Sequence, residues 1–370
     1  MTAHKKYART IDAAFESLTL DGKRLDYVQA YAHFDKLSQK RKPDEGWKRD
    51  LFWLVFHLTI DHGKSIAALT SGTTGPPKRI TIPRRDLVNS ARLTADTFDL
   101  REGDRVLLCL PCEYIAGKMM VVRAMALGLD LHVIDPRGSV LDNLKSNNDR
   151  YRFTAMVPLQ LHRAIQEDHA RVERQFDTIL LGGGPVSAAL EEDLQHLKTA
   201  VFQGYGSTET VTHVALRKLN GKDRSDRYTA LGRVTFATDE RGCLVVRTPH
   251  LKTKEHVTND LVDVIDGTHF RWLGRIDNVI LSGGKKIYPE QLEARSGGLI
   301  GVPHFFLAMP DDQLGEAVAL ALETDIPPEE LVPDILESLT RVLEKHEWPR
   351  RILATKQFRR TASGKLIRQL

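Results

Sequence analysis

Between Ser65 and Asp277, short apolar runs alternate with helical patterns, and this alternation restricts the fold more than any other feature of the chain. RVLLCLP (105–111), LDLHVID (129–135), FTAMVP (153–158), DTILLGGG (177–184) and TAVFQGYG (199–206) each read as a buried strand closed by a turn signal. Between them MMVVRAMALG (119–128) and PVSAALEEDLQHL (185–197) read as helices. Strand and helix in strict turn predict an α/β fold with a largely parallel sheet. Ligands in such sheets bind outside the carboxyl ends of the strands, which is where the glycine-rich turns fall.

Beyond Gly274 the texture changes. A loop, SGGKKIYP (282–289), is followed by a short helix, the strand-like HFFLAMP (304–310) and a helical pattern over 327–348 that Pro349 stops. The expected architecture is a large N-terminal domain of layered α/β sheets, residues 1–277, and a small α+β C-terminal domain, residues 278–370. The 370-residue length fits two domains, since single cores rarely grow past ~250–300 residues. Three cysteines exclude a disulfide scaffold and point to a reducing, cytoplasmic setting. The apolar stretch Leu51 to Ile60 is half the ~20 residues a bilayer span needs, so it reads as a buried helix and no membrane span is expected. No apolar block follows the basic N-terminus, so no secretory signal is expected either. A net charge of +4 is spread along the chain and broken by acids, not gathered into the stripe of a nucleic-acid binder. It suits a small polyanion instead.

Five segments carry chemistry. Thr70-Ser71-Gly72-Thr73-Thr74-Gly75-Pro76-Pro77-Lys78 follows the strand-like SIAAL (65–69) and has the make-up of a phosphate cradle: two glycines, four hydroxyls and a lysine. It is not a Walker A loop, and the one Gly63-Lys64-Ser65 has Leu58 where the first glycine should stand. Gln203 to Thr210 places Tyr205 between Gly204 and Gly206, a ring able to stack on a base, and Glu209 beside Thr208 offers oxygens to a magnesium ion. Gly182-Gly183-Gly184 is a turn whose bare backbone can lie against a flat ring. The remaining two are Thr258-Asn259-Asp260 with Gly274-Arg275-Ile276-Asp277 and the loop at Gly283-Gly284, and the C-terminal Arg360 to Arg368. Cys109-Leu110-Pro111-Cys112 has CxxC spacing, but no second pair or histidine cluster accompanies it, and both cysteines read as core.

In their order along residues 65–370, these segments resemble the adenylate-forming superfamily of acyl- and aryl-CoA synthetases, peptide-synthetase adenylation domains and firefly luciferase. The resemblance implies ATP, Mg²⁺ and coenzyme A as cofactor and co-substrates, and a small carboxylic acid as the molecule activated. It implies that Thr70, Ser71, Gly72, Thr73, Thr74, Gly75 and Lys78 hold the phosphates, and that Gly183, Gly184, Tyr205 and Gly206 frame adenine. Thr208 would touch the α-phosphate, Glu209 would hold Mg²⁺, and Asp260 and Arg275 would bind the ribose. Asp277 would be the hinge of a mobile C-terminal domain, Gly283 and Gly284 would guide the thiol, and Lys365 would be the catalytic lysine of adenylation. The chain departs from the family in being short before the Ser71 loop, which implies a pared-down N-terminal subdomain, and in Asn259, where many relatives have glycine or serine.

Within the superfamily, Tyr114 to Ala124 and Met156 to Leu161 look like short o-succinylbenzoate–CoA ligases of menaquinone synthesis. A substrate with two carboxylates leaves one anionic, so its pocket needs a cation. Lys118, in an otherwise apolar helix start, is the first candidate, with Arg163 and His162 next. A snorkelling surface lysine is the alternative for Lys118. Loading of a carrier protein instead of CoA is the competing function, separable by assay, and a homo-oligomer is compatible with the sequence. An inactive nucleotide-binding paralogue is disfavoured by the joint presence of Glu209, Asp260, Arg275 and Lys365.

Overall fold

The apolar runs lie side by side in the computed structural model of the protein, which describes residues 13–61, 63–70, 78–326, 328–360 and 366–368. The chain enters through a hairpin, β1 (Ser17–Leu20) and β2 (Lys23–Asp26), and two helices, α1 (Tyr27–Gln39) and α2 (Gly46–Thr59). A second antiparallel pair, β3 (Ser65–Leu69) and β4 (Arg79–Pro83), precedes α3 (Arg84–Phe98). The alternating stretch follows: β5 (Arg105–Leu108), α4 (Ile115–Leu127), β6 (Asp130–Val133), α5 (Val140–Asn143), β7 (Phe153–Met156), α6 (Pro158–Gln175), β8 (Thr178–Leu181) and β9 (Ala200–Ser207). Six strands run in the order β9-β8-β7-β5-β6-β1 with every neighbour parallel. β10 (Thr212–Lys218) and β11 (Tyr228–Ala230) extend the sheet antiparallel past β9, and β2 extends it past β1.

Burial explains why these runs were apolar throughout. β7 and β8 are buried at every position, the pattern of strands covered on both faces. Helix α4 is buried from Met119 through Leu127, as a helix apolar all round must be. Leu51, Leu54, Val55 and Leu58 of α2 join the same core. Among the described residues no helix is long and apolar enough to cross a membrane.

The chain divides into two compact units. The first comprises Met1–Pro185, Asp193–Thr235 and Arg247–His256, and the second Val186–Glu192, Phe236–Val246 and Val257–Leu370. The second holds α7 (Ala188–Asp193) and the strand series β12 (Thr235–Thr238), β13 (Cys243–Arg247), β14 (Glu255–Asp266) and β15 (His269–Arg275) in that order. It also holds a sheet of β16 (Ile280–Ser282), β17 (Lys285–Ile287), β18 (His304–Asp311), β19 (Gly315–Glu323) and β20 (Arg351–Thr355), with α8 (Pro289–Ser296) and α9 (Pro328–Thr340). Ile280, Ile287, Leu292, Phe306, Leu320 and Leu339 give that sheet its own core.

Two helices stop sooner than expected. α7 gives way to a single tight turn at Leu194–His196. α9 ends at Thr340, not at Pro349: Arg341 and Val342 donate to carbonyls three residues back, which tightens the last turn and sets Leu343 into the core.

Candidate active site

The carboxyl ends of β8 and β9 are adjacent, with Leu181 opposite Gln203, and Gly182 to Gly184 leave β8 at that end, Gly182 N donating to Met156 O at the end of β7. Tyr205 is half-buried and meets Tyr228 edge to face at 5.7 Å. β9 then turns into β10 through Thr208-Glu209-Thr210-Val211. The hydroxyl of Thr210 clamps the turn, accepting from Ser207 N at 2.8 Å and donating to Thr212 O at 2.8 Å. Gly206 is obligatory, because a Cβ there would stand 1.9 Å from Thr212 O. Thr208 is buried and donates to Leu69 O at 3.4 Å, which ties the turn to the start of the phosphate loop. Glu209 is exposed and makes no ion pair among the described residues. An open carboxylate next to a hydroxyl is the hard-oxygen donor set that magnesium prefers.

The turn carries backbone strain. Val211 and Thr212 have φ of 53° and 78°, and both are β-branched. Left-handed backbone costs such residues ~1–2 kcal/mol each, so neighbouring contacts must hold it. Ser90 Oγ of α3 donates to Val211 O at 2.6 Å, and Arg123 of α4 donates to Thr212 Oγ1 at 3.2 Å.

The phosphate loop is described only at its ends. Thr70 N donates to Lys78 O at 2.9 Å, and Lys78 N donates to Thr70 Oγ1 at 3.0 Å, closing the base of the loop. Ser71, Gly72, Thr73, Thr74 and Gly75 lie outside the described residues, as does Lys365.

Of the acyl-site candidates, Lys118 is half-buried and burial lowers its pKa, while Asp50 and Glu113 act on it as neighbouring acids. Arg163 is exposed on α6, and His162 Nδ1 lies 3.3 Å from Asp193 Oδ2. The cation that sequence reasoning missed is Arg123. It is 1% exposed, and its partners are hydroxyls and a sulfur: Thr94 Oγ1 at 3.2 Å, Thr212 Oγ1 at 3.2 Å and Met120 Sδ at 3.5 Å. Among the described residues no carboxylate pairs with it, and burial pushes its pKa down to about 9. Its guanidinium stands 5.8 Å over the Phe153 ring, which packs on Phe98, and Phe98 packs on Phe202 and His213. His213 is buried and held well below its ordinary pKa, first by burial and then by Arg123, and among the described residues its Nε2 has no partner. A basic residue within an otherwise apolar helix was the available signal; it drew attention to Lys118 and passed over Arg123.

Cys109 and Cys112 are buried thiols whose pKa burial pushes up to about 12, as core cysteines and not a redox pair.

In the second unit, Asp260 and Arg275 face each other across β14 and β15, with Arg275 donating to Asp260 Oδ1 at 3.2 Å. Arg275 also donates to Asp277 Oδ2 at 3.0 Å, and Asn259 Nδ2 donates to both Asp277 oxygens at 3.3 Å. Gly283 and Gly284, at φ of 55° and 81°, make the two-residue hairpin between β16 and β17, a turn that requires left-handed backbone at both positions.

Comparison with known proteins places this geometry. The profile described as "AMP-binding enzyme" matches residues 19–242. The chain is 25% identical to the 2-succinylbenzoate–CoA ligase of Enterococcus faecalis, over 82% of this chain and 69% of that one. It spans about two thirds of the length of the curated relatives it matches. Among solved structures it is 35% identical, with a TM-score of 0.58, to an acyl-CoA synthetase (AMP-forming)/AMP-acid ligase II-like protein from Dyadobacter fermentans, covering 90% of this chain and 95% of that one. An O-succinylbenzoate coenzyme A synthetase from Bacillus subtilis, in complex with ATP and magnesium ion, shares the fold with a TM-score of 0.73 at 20% identity, over 95% of this chain and 96% of that one.

Proposed function

Because the chain belongs to the AMP-binding enzyme family, we infer that it is an AMP-forming acid–CoA ligase, and we propose 2-succinylbenzoate as its acid. The acid carboxylate would attack the α-phosphorus of ATP, pyrophosphate would leave, and the CoA thiol would then displace AMP. Both first reactants are anions, so the work of the protein is positioning and charge neutralisation. In this reading Thr70 to Lys78 bind the phosphates, Gly183, Gly184, Tyr205 and Gly206 frame adenine, and Thr208 orients the α-phosphate. Glu209 would hold a magnesium ion, which screens phosphate charge when bound. Asp260 and Arg275 would hold the ribose. Lys365 would meet the developing charge, and Gly283 and Gly284 would admit the thiol. Residues 278–370 would move about Asp277; their separate sheet and core support treating them as a body. A cytoplasmic setting belongs to the same proposal, supported by three free cysteines.

Arg123 carries the choice of acid. A buried guanidinium with no carboxylate partner among the described residues is costly unless a ligand supplies the anion. Aromatic rings beside it suit an aryl group. 2-Succinylbenzoate offers both, with an aryl carboxylate left over after its other carboxylate is activated. Arg123→Met should lower kcat/KM for this acid by about 10²–10³-fold, the scale of stranding one partner of a buried pair. A mono-acid lacking the aryl carboxylate should lose at least about tenfold less, and what it does lose is the share due to freeing Thr212 from Arg123. Lys118→Met, with acids of the protein already near it, should cost little on either substrate. Equal losses on both acids in Arg123→Met would remove the dicarboxylate reading, and pyrophosphate release across an acid panel would then choose the substrate.

A further inference from the structure

Three buried side chains outside the nucleotide motifs, Ser90, Thr94 and Arg123, form a connected circuit behind the Thr208–Glu209 turn. Ser90 Oγ donates to Val211 O at 2.6 Å, Thr94 Oγ1 donates to Ser90 O at 3.0 Å, and Arg123 donates from Nε to Thr94 Oγ1 and from Nη2 to Thr212 Oγ1, both at 3.2 Å. Ser90, Thr94 and Arg123 are each at most 2% exposed. Thr94 uses its one proton on Ser90 and a lone pair on Arg123, so each hydroxyl in the chain has one consistent role. The circuit ends on two consecutive residues, Val211 and Thr212, that are held in left-handed backbone although both are β-branched. Those residues lie immediately after Glu209 and Thr210. Relaxation of either toward ordinary backbone would re-aim the turn, because Thr212 O is also the acceptor for the Thr210 clamp.

We propose that Ser90 and Thr94 are positioning residues: they hold Val211 and Thr212 in strained backbone and so fix the direction in which Glu209 presents its carboxylate. This rests on the reading of Glu209 as the magnesium ligand of the nucleotide site. Because Arg123 belongs to the same circuit, the cation assigned to the second carboxylate and the turn assigned to the metal are set by one network. The circuit lies in α3, α4 and residues 211–212 at the entry to β10, where no nucleotide motif of the sequence falls.

The test is calorimetric binding of ATP without acid, in magnesium and again in excess EDTA, so that the readout does not depend on turnover. Ser90→Ala should weaken binding of Mg·ATP by about 5–20-fold and leave metal-free ATP within about twofold. A mere loss of packing would weaken both together. Thr212→Asn relaxes the strain, since asparagine tolerates left-handed backbone and its amide oxygen can still accept from Arg123. In that background the Ser90→Ala effect should shrink to less than about threefold, a coupling that a double-mutant cycle measures directly. If Ser90→Ala does not fold, Thr94→Val breaks the circuit one bond away and carries the same test. Equal weakening with and without metal, no weakening, or an effect undiminished in Thr212→Asn would each overturn the proposal. A wild-type protein that binds no Mg·ATP would instead refute the nucleotide reading and take this inference with it.

Discussion

Loss of the Lys365 ammonium should slow acyl-adenylate formation by ~10²–10⁴-fold, the scale of removing one charge contact made in the transition state. Thioester formation from supplied acyl-adenylate should survive in Lys365→Ala. Equal loss in both half-reactions, followed separately by pyrophosphate release and thioester yield, would mean the lysine does not serve adenylation alone. Lys365 is singled out only by the order of the five segments, since Arg360 to Arg368 taken alone reads as a basic tail, and it lies outside the described residues. Arg123 is not singled out, because an isolated arginine among Met, Val and Ala has the same spelling whether it reaches solvent or stays inside. Only the fold shows that Thr94 and Thr212 close over it. Thr212 and Val211 were illegible for a different reason: their positive φ contradicts their own propensities and comes from contacts more than eighty residues away in sequence.

At the scale of the element, α4 makes the clearest demand. Its first turn passes so close to the preceding loop that a Cβ on Gly117 would stand 2.3 Å from Pro111 O. Alanine would gain about 1 kcal/mol of helix propensity, and a backbone clash at that distance outweighs it, because neither partner is a flexible side-chain end. Gly117→Ala should therefore lower the Tm by at least ~5 °C, whereas Ala116→Gly should cost only the propensity difference; thermal melts of the two variants decide the point. The parallel strands were readable since burial on both faces leaves an unbroken apolar run. β14 was not identified, because a strand with many exposed positions looks like a polar loop with interruptions. The end of α9 was misplaced by eight residues because Pro349 is a stop signal but not the first one: backbone bonds of the three-residue kind close the helix at Thr340.

Across the whole molecule, burial depresses the pKa of His33, His132, His213, His250, His256 and His304 below 6.5. Each stays neutral in the fold while the unfolded chain takes up a proton near pH 6.5. Their contribution is therefore present above that pH and lost as pH falls through the window below it. His213 alone, fully buried beside Arg123, should contribute a slope of up to ~1.4 kcal/mol per pH unit below 6.5. Tm should fall steadily between pH 6.5 and 5, and His213→Gln should flatten that descent. An unchanged slope in the variant would mean that His213 is charged in the fold. Nothing in the sequence foretold this behaviour, since histidines titrate by their surroundings and not by their spacing.

The parallel pairing of Thr19 with Asp130 and Leu20 with Leu131 sets a clock on synthesis. Gly22 N is held by the Asp130 carboxylate at 2.7 Å, so even the turn after β1 depends on a residue far downstream. A ribosome adding ~5–20 residues per second needs on the order of 5–20 s to make β6 after β1 has been made. Throughout that interval the nascent chain carries an edge strand without its neighbour, and Leu18 and Leu20, both buried in the finished protein, are uncovered. The interval ends only when β6 has left the exit tunnel, so β1 waits for a strand more than a hundred residues downstream before it finds its place.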